Sequence, residues 1–600
     1  MRNEADQSAP LGIATTRYED RMASALLGTG NAAIEFDEHE GLCGAGVLFL
    51  LPALLAQGLL KTKDVYKIPD SHYYGLESIV LTLAFMALAR IKNPEQLKQC
   101  KPGEIGKIIG LDRIPEVRCL REKIDLLTTQ KQAQKLNHLL IDHWYSPSTE
   151  ASSFLYIDGH VRIYYGYKAN LPSKFVSRQK LCLSATTEFW VNDAAGLPVM
   201  MVTGELTEKL QKAIEDYIIP ELKKTVLLPA QEQENQKQKD AENVAQIEKE
   251  KVAEAIKKDT DPPVCTLVFD REAYEPAFFK RLYEEHRIAI ITYRKNVKDT
   301  WDEQSFKPMN VKVLDQTITM RICERETALG GLSMREIRRL TDSGHQTAVI
   351  TTNRVISTEV AAGRMFGRWS QENFFRYMII DYDFDKVIQF GTEDIDENKE
   401  VVNPEYRKLS HTLKKEKEKT ARLKAKLFPL TEEAIEASLD NMREVQKKQI
   451  PLLEQIEIHQ QKEQQMIEER SKIPAKIKLK NMPEQVRYNK LRQESKMLMN
   501  IIKMICYRAE TAVANELSPF LINAREEKRM LVKQIIQNNA DLIPDYENKT
   551  LTVVLHSLSA PRFNDAAAKL TEVLNQTETI FPGTNLTLKF KSSAFSICER

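Results

Sequence analysis

The sequence predicts an α+β multidomain protein: a helical N-terminal region, an α/β core with a β-rich insert, a long helical segment and a small α/β cap. Three observations predict it. The 600 residues suffice for about three to five structural units. Apolar residues follow helical spacing up to residue 145, then form alternating or continuous strand-like runs from Ala151 onward. Residues 404–540 return to a long, charged, helical pattern.

Composition narrows the function classes. With 86 Lys+Arg against 85 Asp+Glu the net charge is +1, which excludes a uniformly basic nucleic-acid coat but permits local basic faces. Hydrophobic residues at 42% and charged residues at 28% exclude a wholly disordered chain and a polytopic membrane protein. The eight cysteines, Cys43, Cys100, Cys119, Cys182, Cys265, Cys323, Cys506 and Cys598, form no CxxC pair. That spacing argues against a zinc ribbon or a secreted disulfide framework and fits a reducing, cytoplasmic setting.

Residues 1–30 are polar and are expected to form a mobile tail, and MRNEADQSAPLG lacks the basic-then-apolar order of a signal peptide. Gly41–Leu60 carries no charge over twenty residues, a length that could span a bilayer. Pro52, Gln57 and four glycines interrupt it, so a buried helix pair is expected, with no membrane span. Leu76–Ile91 reads the same way.

Residues 31–145 are expected to be a helical DNA-binding domain. Within it, Glu104–Ile124 has the rhythm of a helix-turn-helix: Ile105, Ile108 and Ile109 mark a short helix, Gly110 permits the turn, and Pro115 opens a second helix. Arg118, Arg121 and Lys123 would project from that second helix toward phosphates and base edges. The plainer alternative is a helical pair with a solvated basic face.

A core over residues 150–385 follows. SFLYID, HVRIYYGY, LCLSATTEFWV and PVMMVTG read as strands, and LTEKLQKAIEDYIIPELKKT as a helix. Residues 230–260 are a polar insertion. VCTLVFD is a buried strand, EPAFFKRLYEEHR a helix and IAIIT a strand. Residues 310–352 read as a β insert turning at Gly330-Gly331, and a last helix spans roughly Gly363–Met378. This is the element order of a ribonuclease-H-like core. Residues 404–540 suggest an imperfect coiled-coil hairpin, with Glu416 and Thr420 in core slots and breaks at Pro429, Pro451, Pro474 and Pro483. An intramolecular hairpin and a protomer-pairing coil are both open. Residues 545–600 form the cap.

Three acids stand out by element. Asp158 closes the first strand, Asp270 closes VCTLVFD, and Glu372 lies on the last helix. A ribonuclease-H-like core gathers these positions at one end of its sheet, where hard oxygen donors can hold two divalent ions for phosphodiester chemistry. An Asp at a strand end can equally be a turn former. Arg294 and Lys295 follow IAIIT, while Arg368 and Arg376 flank Glu372 at spacings of four, so all three share a helix face. These cations are expected to bind DNA; ion pairing with Glu372 is the alternative for the flanking arginines. Trp369, Phe374 and Phe375 are expected in the core, and His160 as a structural residue.

YIDGHVRIYYG, LVFDREAYEPAFFKRL, RIAIITYRKN, REIRRLTDSGHQTAVITTN and GRWSQENFFRY together resemble bacterial insertion-sequence transposases of the DDE type. PGEIGKIIGLDRIPEVRCLREKI and KMICYRAETA extend the resemblance to about residue 40 and toward the C-terminus. The resemblance implies Asp158, Asp270 and Glu372 as catalytic, metal-binding residues, and a β insert before the Glu. It implies two Mg²⁺ ions, with Mn²⁺ able to substitute. Its partners would be double-stranded DNA, as transposon terminal inverted repeats and target, bound by a homodimer or higher assembly at the nucleoid. Within the subgroup with a Tyr–Arg–Glu–Lys signature, Arg368 and Glu372 match, whereas Met365 and Ile379 replace the tyrosine and lysine; Arg376 is expected to supply the missing cation. A non-catalytic DNA-binding scaffold and a related nuclease are the competing functions.

Overall fold

The computed structural model describes residues 17–28, 30–100, 102–145, 153–176, 179–204, 206, 208–228, 263–313, 316–384, 391–436 and 439–593. The expected polar insertion at 230–260 lies outside them, as do residues 1–16 and the side chains of 369–372. The chain divides into two compact units: Met1–Ile163 with Ala185–Phe390 and Arg492–Arg600, and Tyr164–Ser184 with Gly391–Leu491.

The first unit opens on helices α1 (Tyr18–Leu27), α2 (Leu51–Ala56), α3 (Leu76–Leu88), α4 (Pro102–Ile108), α5 (Val117–Thr129) and α6 (Ala133–Trp144), with a short strand β1 (His39–Leu42) between α1 and α2. Helix α1 falls inside the expected mobile tail. It is held there by Arg21, whose guanidinium lies 2.6 Å from the Asp112 carboxylate and over the Tyr73 ring. The uncharged stretch Gly41–Leu60 becomes a 3₁₀ turn (Ala45–Leu50) and α2, both buried; among the described residues no helix is long and apolar enough to cross a membrane. Helix α3 is buried from Ser78 through Leu88, because apolar residues surround it on every side.

The central sheet uses β2 (Phe154–Ile163), β4 (Leu181–Asn192, after β3 at Ser173–Val176) and β5 (Pro198–Gly204), then β6 (Cys265–Val268) and β7 (Ile288–Tyr293). Short helical stretches α7 (Leu210–Ala213) and α8 (Ile219–Leu222) follow β5, and α9 (Pro276–His286) joins β6 to β7. Four antiparallel insert strands extend the sheet: β8 (Lys307–Val313), β9 (Gln316–Leu329), β10 (Leu332–Leu340) and β11 (Gln346–Thr351). In the first unit the order is β5–β4–β2–β6–β7–β11–β10–β9–β8. Strand β4 is antiparallel to β5 and β2, whereas β2, β6 and β7 are parallel.

Two expectations change here. SFLYID and HVRI are one strand, so Asp158 sits inside β2 and does not close it. The antiparallel ladder with β4 runs from Tyr156 to Ile163 and carries β2 past the point where β6 ends. The single expected helix is two, α10 (Thr358–Phe366) and α11 (Trp369–Tyr382), parted at Gly367. Gly363 on α10 is required by packing: a Cβ there would lie 2.5 Å from the Lys312 carbonyl oxygen on β8.

The second unit holds β12 (Thr392–Glu393), β13 (Glu400–Val402), α12 (Pro404–Glu436), α13 (Leu439–Ser471), β14 (Lys476–Lys478) and β15 (Lys490–Leu491). Helices α12 and α13 pack as a hairpin. Pro429 and Pro451, expected to break the helices, lie within them. Glu416 and Thr420 are buried as the heptad spacing required, and α13 answers each with a polar partner. His459 Nδ1 lies 2.7 Å from the Glu416 carboxylate, and Thr420 donates to Glu463.

The expected 404–540 helical segment does not stay together. Helices α14 (Glu494–Leu517) and α15 (Ala524–Gln537) belong to the first unit, and α14 is buried nearly throughout, with Leu498, Ile501, Ile502 and Ile505 in the core. Strands β16 (Ala540–Asp545), β17 (Thr550–Leu555) and β18 (Thr587–Ser592) with helix α16 (Pro561–Asn575) complete the chain. Their sheet runs β1–β16–β17–β18, so the cap takes an N-terminal edge strand. Phe49 meets Phe590 and Phe36 meets Phe581, each at 4.9 Å between ring centroids, inside one shared core.

Candidate active site

The parallel pairing of β2 with β6 matches Phe154 to Thr266, Leu155 to Leu267 and Tyr156 to Val268. The ladder ends at Tyr156 and Val268, so Asp158 on β2 and Asp270 after β6 each lie two residues past its last pair. Alternation along β2 puts Asp158, His160 and Arg162 on one face of the sheet. Across the ladder, Asp158 faces Trp190 and His160 faces Glu188 on β4.

Helix α11 covers that same face. Phe374 packs on Trp190 at 5.6 Å, and Phe375 stacks on His160 at 5.6 Å. Phe374, Phe375 and His160 are thus core residues, as expected. Arg368, immediately before α11, brings its guanidinium to 3.8 Å from Asp158 Oδ2. Glu372 lies on the first turn of this helix, and its side chain is outside the described residues. Among the described residues no three His, Cys, Asp or Glu side chains form a cluster able to hold a metal ion.

Both aspartates make local bonds. Asp158 Oδ1 accepts from the Gly159 amide at 2.9 Å, and Asp270 Oδ1 accepts from the Glu272 amide at 2.7 Å, capping a 3₁₀ turn. Thr292 on β7 donates to the Asp270 carbonyl at 3.0 Å, tying the end of β6 to its neighbour. The turn-forming role of Asp270 is therefore real, and it coexists with placement at the sheet edge.

The expected DNA-binding cations divide. Arg294 pairs with the buried Glu336, and Lys295 lies over the Tyr274 ring at 5.6 Å. Arg376 is exposed on α11. On α5, Arg118 is 92% exposed and bonds Glu122, and Arg121 pairs with Glu95. Lys123 is the exception: it is 7% exposed, because it lies between Leu120 and Leu127 on the apolar stripe that buries α5. In this fold it is not presented to an outside ligand. Two arginines that sequence reasoning missed also lie near this edge. Arg364, on the turn before Arg368, lies over Phe154 at 4.5 Å, and Arg271 over Tyr293 at 5.6 Å. The four-residue spacing from Arg364 to Arg368 was the available signal.

Beneath the face lies a charged layer that the sequence did not reveal. Helix α14 presents Lys496, Asn500, Lys503, Tyr507 and Glu510 at heptad-like spacing, all buried. Lys496 donates to the Phe384 carbonyl, and Lys503 donates to the Tyr382 carbonyl at 2.7 Å, so both cap the end of α11. Glu510 accepts from the Tyr377 hydroxyl at 2.9 Å and pairs with Arg90 at 2.7 Å; Arg90 also reaches Asp381 at 3.3 Å. The helix that carries Glu372 is thereby fastened through its last two turns.

Burial lowers the Lys503 pKa from 10.5 to about 8, against the opposing pull of Asp383 and Glu188. Between those values the unfolded chain holds the extra proton, so stability should rise with pH across that window. Below about 8 both states are protonated and the cost of the buried ammonium is fully present. Urea midpoints measured across the window should rise less in Lys503→Met than in the native chain. Equal slopes would count against this assignment.

Residues 12–593 match the model of a family described as "Transposase protein". The chain belongs to this transposase family. No curated relative and no solved structure matches it. Transposases cut DNA, so this transposase belongs among DNA-processing proteins.

Proposed function

We propose that this transposase is of the DDE type, with Asp158, Asp270 and Glu372 as a metal-binding catalytic triad in a ribonuclease-H-like core. The observation that carries the proposal is the parallel pairing of β2 with β6, since Asp158 and Asp270 each follow its last pair by two residues along the chain. The strand order β5–β4–β2–β6–β7, with its antiparallel second strand and the insert before the last helix, supports the same reading. Carboxylates are hard, anionic oxygen donors, which fit Mg²⁺ or Mn²⁺ ions. Asp158, Asp270 and Glu372 would be the residues that hold them. When bound, the ions supply neutralisation and polarisation of the phosphodiester oxygens.

The chain's own residues hold and orient the DNA. Arg368 places a cation against Asp158 at the reacting edge, where a phosphate can take up its guanidinium donors. Water attacks the phosphodiester at a transposon end, breaking the P–O3′ bond and freeing a 3′-hydroxyl. That hydroxyl then attacks target DNA in line, and a second 3′-oxygen leaves. No Ser or Tyr nucleophile is needed. The exposed Arg118 on α5 fits reading of the terminal inverted repeats. A bacterial insertion-sequence origin and pairing of protomers on DNA complete the proposal.

The direct test uses a plasmid carrying this coding sequence with its natural flanking DNA. Incubation with the purified chain and Mg²⁺ should produce nicks at two matching inverted ends, mapped by primer extension. An intact chain that binds those ends and never nicks them would instead be a scaffold.

A further inference from the structure

Residues 159–187 contain no Asp or Glu, in a chain with 85 acids among 600 residues. Most of this stretch lies in the second unit, where β3 pairs antiparallel with the start of β4, Phe175 opposite Cys182 and Val176 opposite Leu181. The loop leading into it displays Tyr165 at 81% and Tyr167 at 93% exposure, and the hairpin adds Phe175 at 59%. Lys168 and Lys180 are exposed beside them. Arg407 from α12 donates to the Ser173 carbonyl at 3.2 Å, adding a guanidinium to the same segment.

The loop is built. The Tyr164 hydroxyl accepts from the amides of Lys168 at 3.1 Å and Ala169 at 3.2 Å, closing the loop on itself. Gln179 donates to the Tyr165 hydroxyl at 3.3 Å, which orients that ring from the hairpin tip. Rings this exposed, on a built loop with lysines beside them and no acid in the surrounding sequence, match a strand of nucleic acid whose bases are unstacked. A duplex keeps its base faces inside the stack, so it could engage the cations and leave the rings unused. An acidic or apolar protein would explain the cations or the rings singly; a single strand uses both.

We infer that Tyr165, Tyr167, Lys168 and Lys180 form a binding surface for single-stranded DNA, with the two tyrosines as base-stacking platforms and the two lysines as phosphate contacts. The choice of DNA over RNA rests on membership of the transposase family, and the inference is independent of the metal site.

The test measures binding of labelled oligo-dT to the full chain by fluorescence anisotropy in EDTA, beside a mixed-sequence duplex and oligo-U. Tyr165→Ala with Tyr167→Ala should weaken oligo-dT binding by roughly tenfold or more and leave duplex binding within about twofold. Lys168→Gln with Lys180→Gln should weaken both ligands and flatten the salt dependence. Native oligo-dT affinity in the double tyrosine variant overturns the inference. So does tighter binding of oligo-U than oligo-dT, or a tyrosine effect that appears only as altered self-association in sedimentation. Because EDTA removes divalent ions, a negative result here leaves the cleavage proposal standing, and a chain inactive in cleavage can still bind oligo-dT.

Discussion

Asp270→Ala is expected to lower the rate of end cleavage by roughly three orders of magnitude or more, several kcal/mol of lost transition-state stabilisation. Asp270 follows the carboxyl end of β6, two residues past the last pair that β6 makes with β2, and in the DDE reading its removal takes away one of the three metal-binding acids. The fold should survive. The substitution also deletes the cap on the 3₁₀ turn at Arg271–Ala273, which costs about 1 kcal/mol. Single-turnover cleavage of the flank-bearing plasmid, measured with thermal denaturation and end binding on the same sample, separates the two effects. A variant that binds ends, melts near the native temperature and still nicks at the native rate would remove Asp270 from the catalytic set.

Glu510→Ala is expected to destabilise the first unit by ~3–5 kcal/mol, since it leaves the Arg90 guanidinium buried without its main partner. The Glu510 side chain is 1% exposed and that of Arg90 9%. Burial works against the Arg90 charge, and Glu510 with Tyr382 and Tyr377 together more than offset this, raising the Arg90 pKa. The same substitution removes the acceptor of Tyr377, so it also loosens α11. Arg90→Met with Glu510→Met, which removes both charges and keeps the volume, should cost clearly less than Glu510→Ala alone. Urea denaturation of the three proteins checks the order. Should the double variant prove the least stable, the latch would be contributing net stability beyond compensation of its own charges.

Much of the site was legible because local chemistry marks it. The apolar run before Asp270 ends in an acid, an arginine and a helix start, and the chain folds that way: β6, a capped turn, then α9. Phe374 and Phe375 were recognisable as core because large aromatic side chains are more often buried than exposed, and in the fold they pack on Trp190 and His160. Lys123 lies on the buried stripe of α5 with Leu120 and Leu127, a position that their spacing marks and the charge of a lysine does not. The proline breaks were overestimated. A proline removes one hydrogen bond and clashes locally, at a cost of ~3 kcal/mol that a 33-residue helix packed against its hairpin partner can absorb.

Helical and strand spacing, the charge-free core segments and the β insert were all encoded in short stretches of chain, where each signal spans a turn or a strand. Three features were not. The parallel pairing of β2 with β6, the recruitment of β1 into the C-terminal sheet, and the polar stripe of α14 under α11 each join residues more than a hundred positions apart. Backbone pairing carries no residue code over such distances, and a buried Lys or Glu has the same letter as a solvated one. Only packing in three dimensions decides which partner each of them meets.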